Sequence, residues 1–373
     1  MNAGHAFGPD RRRLTALRMA AQRIGASEFT TPGDAVRWML ALQGQDYAGV
    51  RWSVGLRHAK ATEDGVAAAL DAGEIVRSWP VRGTLHLVAA EDLGWMLRLT
   101  APRMTASAAR RRALLGITEA DMERARVGAS DALTGRRVQT RDTLLATINA
   151  AGVSTGGQRG YHLLWYLAQT GTLVLGPTEG RQQTFALLDD WVANPRRFEP
   201  DEALGELALR YVRSHGPATD RDLARWSGLT LAEVRRGLAI CGPRLTTLEL
   251  DGSTYHVAPE TLGLAAPQGR VYLLPGFDEY LLGYRDRTAA LAPEHSEAIV
   301  PGGNGIFKPT VVIDGEVVGT WGRRVKAGEI VIEPSPFGRL SGRDREGLEE
   351  AARAYGVFMG RPSRLAAVEV AQP

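Results

Sequence analysis

Residues 201–257 read DEALGELALRYVRSHGPATDRDLARWSGLTLAEVRRGLAICGPRLTTLELDGSTYHV. Leu204, Leu207, Ala208 and Tyr211 recur at helical spacing, so Asp201 to Ser214 is expected to be an amphipathic helix that stops at His215-Gly216-Pro217. Thr219-Asp220-Arg221-Asp222 resembles a capping box opening a second helix, which Gly228 closes. Thr230-Leu231-Ala232-Glu233 is another such box and opens a third helix, to about Ile240. Leu245 to Val257 then alternates around Asp251-Gly252, a strong hairpin signal. Helices followed by a hairpin make the winged-helix layout, a helix-turn-helix with a β wing.

Working outward, a divergent helix–helix–hairpin pattern precedes this one twice. The middle copy starts at Thr140 with Leu144, Leu145 and Ile148 on one face, continues with a helix from about Arg159 to Gln169, and ends in a hairpin around Gly176 to Gly180. The first copy opens at Thr31-Pro32, runs through Ala35 to Leu42 and then Thr62 to Ala72, and ends in Ile75 to Val88, with Arg82-Gly83 as the turn. From Arg270 onward short apolar runs alternate with Gly and Pro, Asp314-Gly315 marks another hairpin, and Arg343 to Phe358 reads as a closing helix. Ala289 to Asn304 reads as a loop. The expected fold is α+β: tandem winged-helix modules forming a C-shaped cleft, followed by a C-terminal, mainly β, barrel-like domain. The modules are expected at 1–130 (with an N-terminal helix and a helical extension), 131–198 and 199–266, and the β domain with its closing helix at 267–373.

The 373 residues are 44% hydrophobic and 23% charged with a formal net charge of +3, which is ordinary globular composition and does not by itself announce nucleic acid. Only Lys60, Lys308 and Lys326 are lysines, so the basic residues are nearly all arginine. That suits phosphate and guanine contacts, but codon bias from a GC-rich genome explains the same ratio. Cys241 is the only cysteine, which excludes a disulfide framework or a thiolate metal cluster within the chain. Met1 to Arg13 has no apolar signal core and no run is long enough to span a membrane, so a cytoplasmic protein is expected. The seven histidines have no paired-ligand spacing, and no phosphate-binding glycine loop or nucleophile elbow is present, so neither metal nor cofactor is expected.

Gln43-Gly44-Gln45 ends the amphipathic stretch of the first copy and opens the Gly/aromatic segment Asp46-Tyr47-Ala48-Gly49, read as a loop. Two carboxamides one residue apart can reach one polar cavity. An amide does not take a proton from water near neutral pH, but it can orient a water by donating and accepting hydrogen bonds. On spacing alone, both glutamines also fit surface or helix-capping positions. Arg82, Thr84 and His86 alternate along the first hairpin and share one strand face, which fits DNA or pocket contacts and equally a domain contact. Phosphate-holding candidates are Arg51, Arg82, Arg159, Arg181, Arg323 and Arg324. Asp278 with Arg285 or Arg287 reads as a structural ion pair.

Four stretches carry a resemblance. They are Trp79 to Val88, Gly216 to Leu229, Leu274-Pro275-Gly276-Phe277-Asp278-Glu279-Tyr280 with Gly283 to Arg287, and Gly305-Ile306-Phe307 leading to Val317 to Trp321. Together they resemble the tandem winged-helix DNA glycosylases of the AlkZ/YcaQ type, over about residues 30 to 330. The resemblance implies excision of purines alkylated at N7 from double-stranded DNA, and in some members unhooking of interstrand crosslinks. It also implies that Gln43 and Gln45 match an active-site Gln-x-Gln motif, whose central residue in relatives is usually small and aliphatic. Gly44 departs from that pattern and is expected to loosen the backbone.

Because the alkylated base is already cationic, no acid is needed to expel it. A placed water and negative dipole ends suffice, and neutral lesions should be poor substrates. Asp46 or Glu91 are the carboxylates considered for a base. An open cleft would admit a bulky lesion without base extrusion. No obligate partner is expected, and the chain reads as a monomer. A non-catalytic winged-helix regulator and an alkylator-sequestering resistance protein are the competing readings.

Overall fold

The computed structural model describes residues 8–25, 28–180, 182–264, 269–326 and 328–367. Thr31 caps the helix Pro32–Met39 in a reciprocal box with Asp34, as Thr219 and Thr230 do with Asp222 and Glu233 for Asp220–Ser227 and Leu231–Cys241. Each such cap contributes about 1 kcal/mol. The helix Pro200–His215 packs against Leu231–Cys241, and Gly237 permits this: a Cβ there would lie 2.5 Å from the Leu204 carbonyl oxygen.

Among the described residues, thirteen strands form the sheets: β1 (Leu42–Gln43), β2 (Ile75–Val81), β3 (Thr84–Ala89), β4 (Gln139–Thr140), β5 (Leu173–Glu179), β6 (Gln182–Leu187), β7 (Thr246–Leu250), β8 (Ser253–Val257), β9 (Val271–Leu274), β10 (Thr310–Ile313), β11 (Glu316–Lys326), β12 (Glu329–Pro336) and β13 (Ser363–Leu365). The hairpins read from the sequence are β2–β3, β5–β6, β7–β8 and β10–β11. Arg82-Gly83, Asp251-Gly252 and Asp314-Gly315 all have positive φ at both central positions, which matches the twist of the flanking strands. The first two hairpins are not separate. They join edge to edge, with Arg77 facing Leu175, in a six-stranded sheet of order β1-β3-β2-β5-β6-β4. β7 and β8 stand alone, and β13-β12-β11-β10-β9 form an open five-stranded sheet.

Several elements differ from the expectation. Asp46-Tyr47-Ala48-Gly49 is not a loop: Asp46 accepts the Gly49 N–H at 3.0 Å and caps the helix Tyr47–Gly55. The leading helix ends early at Met39, where Leu40 takes φ +65°, so Gln43 ends the short strand β1 and Gln45 lies just beyond it, and neither closes a helix. Ala289 to Asn304 contains short helical turns at Pro293–His295, Ser296–Ile299 and Pro301–Gly303.

One apolar cluster joins the two ends of the described chain. Met19, Val36, Leu42 and Trp52 pack with Leu273, Val311, Trp321 and Phe358. Trp52 Nε1 donates to the Leu273 carbonyl at 2.6 Å, and Trp321 Nε1 to that of Leu274 at 2.7 Å. A second cluster holds Leu40, Val81 and Val88 with Tyr211, Trp226 and Tyr284. Strand alternation sends Leu42 and Leu87 into the first cluster and Ala41 and Val88 into the second, so β1 and β3 sit at the seam.

The ion pair expected at Asp278 has another partner. Arg57 binds both its carboxylate oxygens at 2.9 Å, and Ser53 Oγ adds a 2.6 Å bond. Burial works against that carboxylate's charge, but Arg57 holds it below its ordinary value. Arg285 instead donates its backbone N–H to Asp222, and Arg287 donates to the Leu281 carbonyl.

Candidate active site

Gln43 is the second residue of β1 and pairs with His86 of β3. Its side chain is buried, whereas Gln45, just beyond the strand, is exposed. Gln43 Nε2 donates to Gln45 Oε1 at 2.7 Å, so the two amides form one unit rather than two independent side chains. Gln43 Oε1 in turn accepts from Arg82 at 3.4 Å and lies 3.5 Å from Thr84 Oγ1. Arg82 orients the Gln43 amide by occupying its oxygen, which leaves the NH₂ to point at Gln45.

The backbone between them is tied on both sides. Gly44 N–H donates to the Leu85 carbonyl at 2.7 Å, and Arg77 Nε donates to the Gly44 carbonyl at 2.9 Å. The loosening expected from Gly44 is therefore offset by two hydrogen bonds. A Cβ at this position would sit 3.4 Å from the His86 backbone, so a small side chain meets only close contact.

The floor of the site comes from far along the chain. Glu279 is fully buried. Its Oε1 accepts the Gln43 backbone N–H at 3.0 Å, and its Oε2 accepts Trp226 Nε1–H at 2.9 Å. His215 Nε2 lies 3.6 Å from the same carboxylate. Burial works against the charge on Glu279, but His215 first, and then His86 and Arg82, hold its carboxyl below the ordinary value. Arg82 also donates to the Trp226 carbonyl, which ties the tip of the first hairpin to the helix Asp220–Ser227. Arg82 sits at φ +51° in the turn. His86 Nδ1 donates to the Thr84 carbonyl at 2.8 Å. Burial, with the Arg82 charge, pulls its imidazole from 6.5 down to about 4, so it is neutral at physiological pH.

Five predicted residues thus meet: Gln43, Gln45, Arg82, Thr84 and His86. Arg51 lies in the next helix, paired with Glu63 at 2.8 Å and stacked on Tyr47, whose ring also carries Arg77. Arg159 is apart from them. Its guanidinium binds the Leu115, Gly116 and Ser154 carbonyls and approaches Asp121. Arg323 and Arg324 are exposed on β11, Arg323 against the Tyr355 ring and Arg324 paired with Glu333. Arg181 lies outside the described residues.

Residue reasoning missed Glu279, Trp226 and Arg77 as parts of the site. Glu279 and Trp226 stand within the quoted motif runs, so their signal was present without a role attached.

A family model described as DNA glycosylase AlkZ-like matches residues 36–358. The chain belongs to the AlkZ-like DNA glycosylase family. It is accordingly an enzyme that hydrolyses N-glycosyl bonds. It is 30% identical over 349 residues to an interstrand DNA cross-link repair glycosylase of Streptomyces sahachiroi, covering 87% of this chain and 90% of that relative. The solved structure of the S. sahachiroi DNA glycosylase AlkZ superposes with a TM-score of 0.78 at 27% identity, over 95% of this chain and 99% of that one. The AlkZ-like assignment thus spans the glutamine pair and the Glu279 run alike. Among the described residues, no helix is long and apolar enough to cross a membrane.

Proposed function

We propose that this AlkZ-like glycosylase removes cationic N7-alkylated purines from double-stranded DNA, with Gln43 and Gln45 placing the attacking water, and that it unhooks interstrand crosslinks made through such positions. The observation that carries this reading is the 2.7 Å bond between the two amides, with one partner buried and the other exposed. Gln45 can meet a water. Gln43, held by Arg82, fixes which way Gln45 faces. Crosslink unhooking extends to this chain what the S. sahachiroi relative's name states.

The chemistry follows from the charges. As the C1′–N9 bond lengthens, its electron pair moves onto the base and neutralises it, while the sugar becomes an oxocarbenium ion. Water adds at C1′ and releases its proton to solvent. Amide oxygens supply negative dipole ends to the sugar and orient the water, without general acid catalysis. A neutral adduct leaves as an anion and lacks this advantage, so it should be cleaved poorly.

The tandem hairpin-bearing segments act in this reading as winged-helix modules around an open, C-shaped cleft, on the boundaries 1–130, 131–198 and 199–266, with 267–373 as the β domain. Such a cleft accepts a bulky adduct without full extrusion of the base. Phosphates are held by arginines, with Arg51, Arg159, Arg181, Arg323 and Arg324 as the candidates. The enzyme works as a monomer in the cytoplasm, on DNA alone.

The test is a duplex carrying a single N7-methylguanine. Wild-type protein should produce an abasic site, and the Gln43→Ala/Gln45→Ala variant should not. Full activity in that variant would remove the pair from the mechanism. Tight binding of the duplex with no turnover by wild type would favour a sequestering protein instead.

A further inference from the structure

The Gln-x-Gln pair contains no anion, yet the reaction builds a cation on the sugar. The two carboxylates considered for a base are engaged elsewhere: Asp46 caps its own helix, and Glu91 receives Arg37 at 2.9 Å. The carboxylate that touches the pair is Glu279, 236 residues away, bonded to the Gln43 backbone N–H.

We propose that Glu279 is the fixed counter-charge of the site, a positioning residue that anchors Gln43 and favours the positive charge as it moves from the base to the sugar. This rests on the reading of Gln43 and Gln45 given above. Three observations argue for it. First, each Glu279 oxygen is taken by an N–H donor, from Gln43 and from Trp226, so it is placed as a field and not as a base. Second, it is completely buried, so its charge acts through protein rather than water and is weakly screened. Third, Arg82 binds the side-chain oxygen of Gln43 while Glu279 holds its backbone N–H. Without Glu279, that guanidinium would face a cationic sugar uncompensated.

The direction of the effect follows from where the charge sits. Before cleavage the positive charge is on the base, and in the transition state it is on the C1′–O4′ unit. The total charge does not change. An anion behind the water-placing amides is on the sugar side, so it stabilises the transition state more than the bound substrate. Glu279 should therefore affect the rate of the bound complex and leave DNA affinity alone.

The experiment is single-turnover cleavage of the N7-methylguanine duplex, with duplex affinity and thermal unfolding measured on the same full-length preparations. Glu279→Gln should lower the cleavage rate by roughly 10- to 100-fold, with the dissociation constant within about twofold of wild type. Glu279→Asp, which keeps the charge, should regain most of that loss. The glutamine amide would set its NH₂ against Trp226 Nε1–H, so the comparison is repeated in a Trp226→Phe background, where this clash is absent. There Glu279→Gln must produce the same fold-loss. A Glu279→Gln rate within about threefold of wild type overturns the proposal. So does a loss confined to binding, or an equal loss in Glu279→Asp. Gln45→Ala separates the two readings: if it is inactive while Glu279→Gln is fully active, only the counter-charge falls. If Gln45→Ala is fully active, the water-placing pair falls.

Discussion

The first hairpin and the C-terminal sheet both carry arginines that read as phosphate candidates, and the two sets end up opposite in the structure. β2–β3 carries Arg82 in its turn and Thr84 and His86 on β3, and β11 carries Arg323 and Arg324 beyond its apolar half. β3 lies between β1 and β2, both its faces meet apolar clusters, and its polar side chains turn into a buried network around Gln43 and Glu279. The distal part of β11, from Gly322 on, is exposed. The difference teaches that strand position, not residue type, decides whether an arginine organises a site or offers itself to a partner.

The largest expected effect lies in the buried region. Gln45→Ala should reduce single-turnover cleavage of the N7-methylguanine duplex by about 10²–10³-fold, since it removes the exposed member of the amide pair. Gln43→Ala combined with it should add little, because the two amides act as one unit. Additive losses would show that the pair is not a unit.

Arg82→Ala should come next. It removes the Arg82 donor from the Trp226 carbonyl and leaves Gln43 Oε1 only Thr84 Oγ1 at 3.5 Å, and should cost about 2–3 kcal/mol in chemical denaturation together with roughly 10-fold in rate. The salt dependence of DNA binding should barely change. A large drop in the salt slope would mean that Arg82 meets phosphate, and the contrast between the two hairpins would fail.

His86 gives a third prediction. Its folded-state pKa of about 4 lies below the ordinary 6.5, so its neutral form is favoured by folding. The associated stability is present above pH 6.5 and is lost as pH falls toward 4, since the unfolded chain takes up the proton first. The loss should be on the order of 3 kcal/mol. His86→Asn should flatten this part of the stability profile measured by urea denaturation between those pH values. An unchanged profile would place His86 in a wetter setting than β3 gives it.

The smallest effect belongs to the exposed hairpin. Arg323→Ala and Arg324→Ala should each lower the slope of log affinity against log salt by about 1, with cleavage of bound substrate unchanged. Stability should move by less than about 1 kcal/mol, because the Arg324–Glu333 pair is solvent-exposed. A rate defect at saturating protein would show that this hairpin also shapes the site.

The sequence determined a good deal by itself. Capping boxes at Thr219 and Thr230, helical spacing in Leu204 to Tyr211, and the Asp-Gly and Arg-Gly turns are local signals, set by hydrogen bonds and φ values within a few residues, and they appear where they were read. The motif runs located the family, and the resemblance they carry pointed to the glutamine pair. What only the tertiary structure decided is where those pieces meet. The sequence offered Arg285 and Arg287 to Asp278, and Asp46 and Glu91 to the glutamines, because nearby residues are the only partners that spacing can suggest. The folded chain chose Arg57 for Asp278 and Glu279 for Gln43, across 221 and 236 residues. Those choices are made by burial: once two apolar clusters close around the seam at β1 and β3, an enclosed charge or N–H is costly without a partner there, wherever in the chain that partner lies.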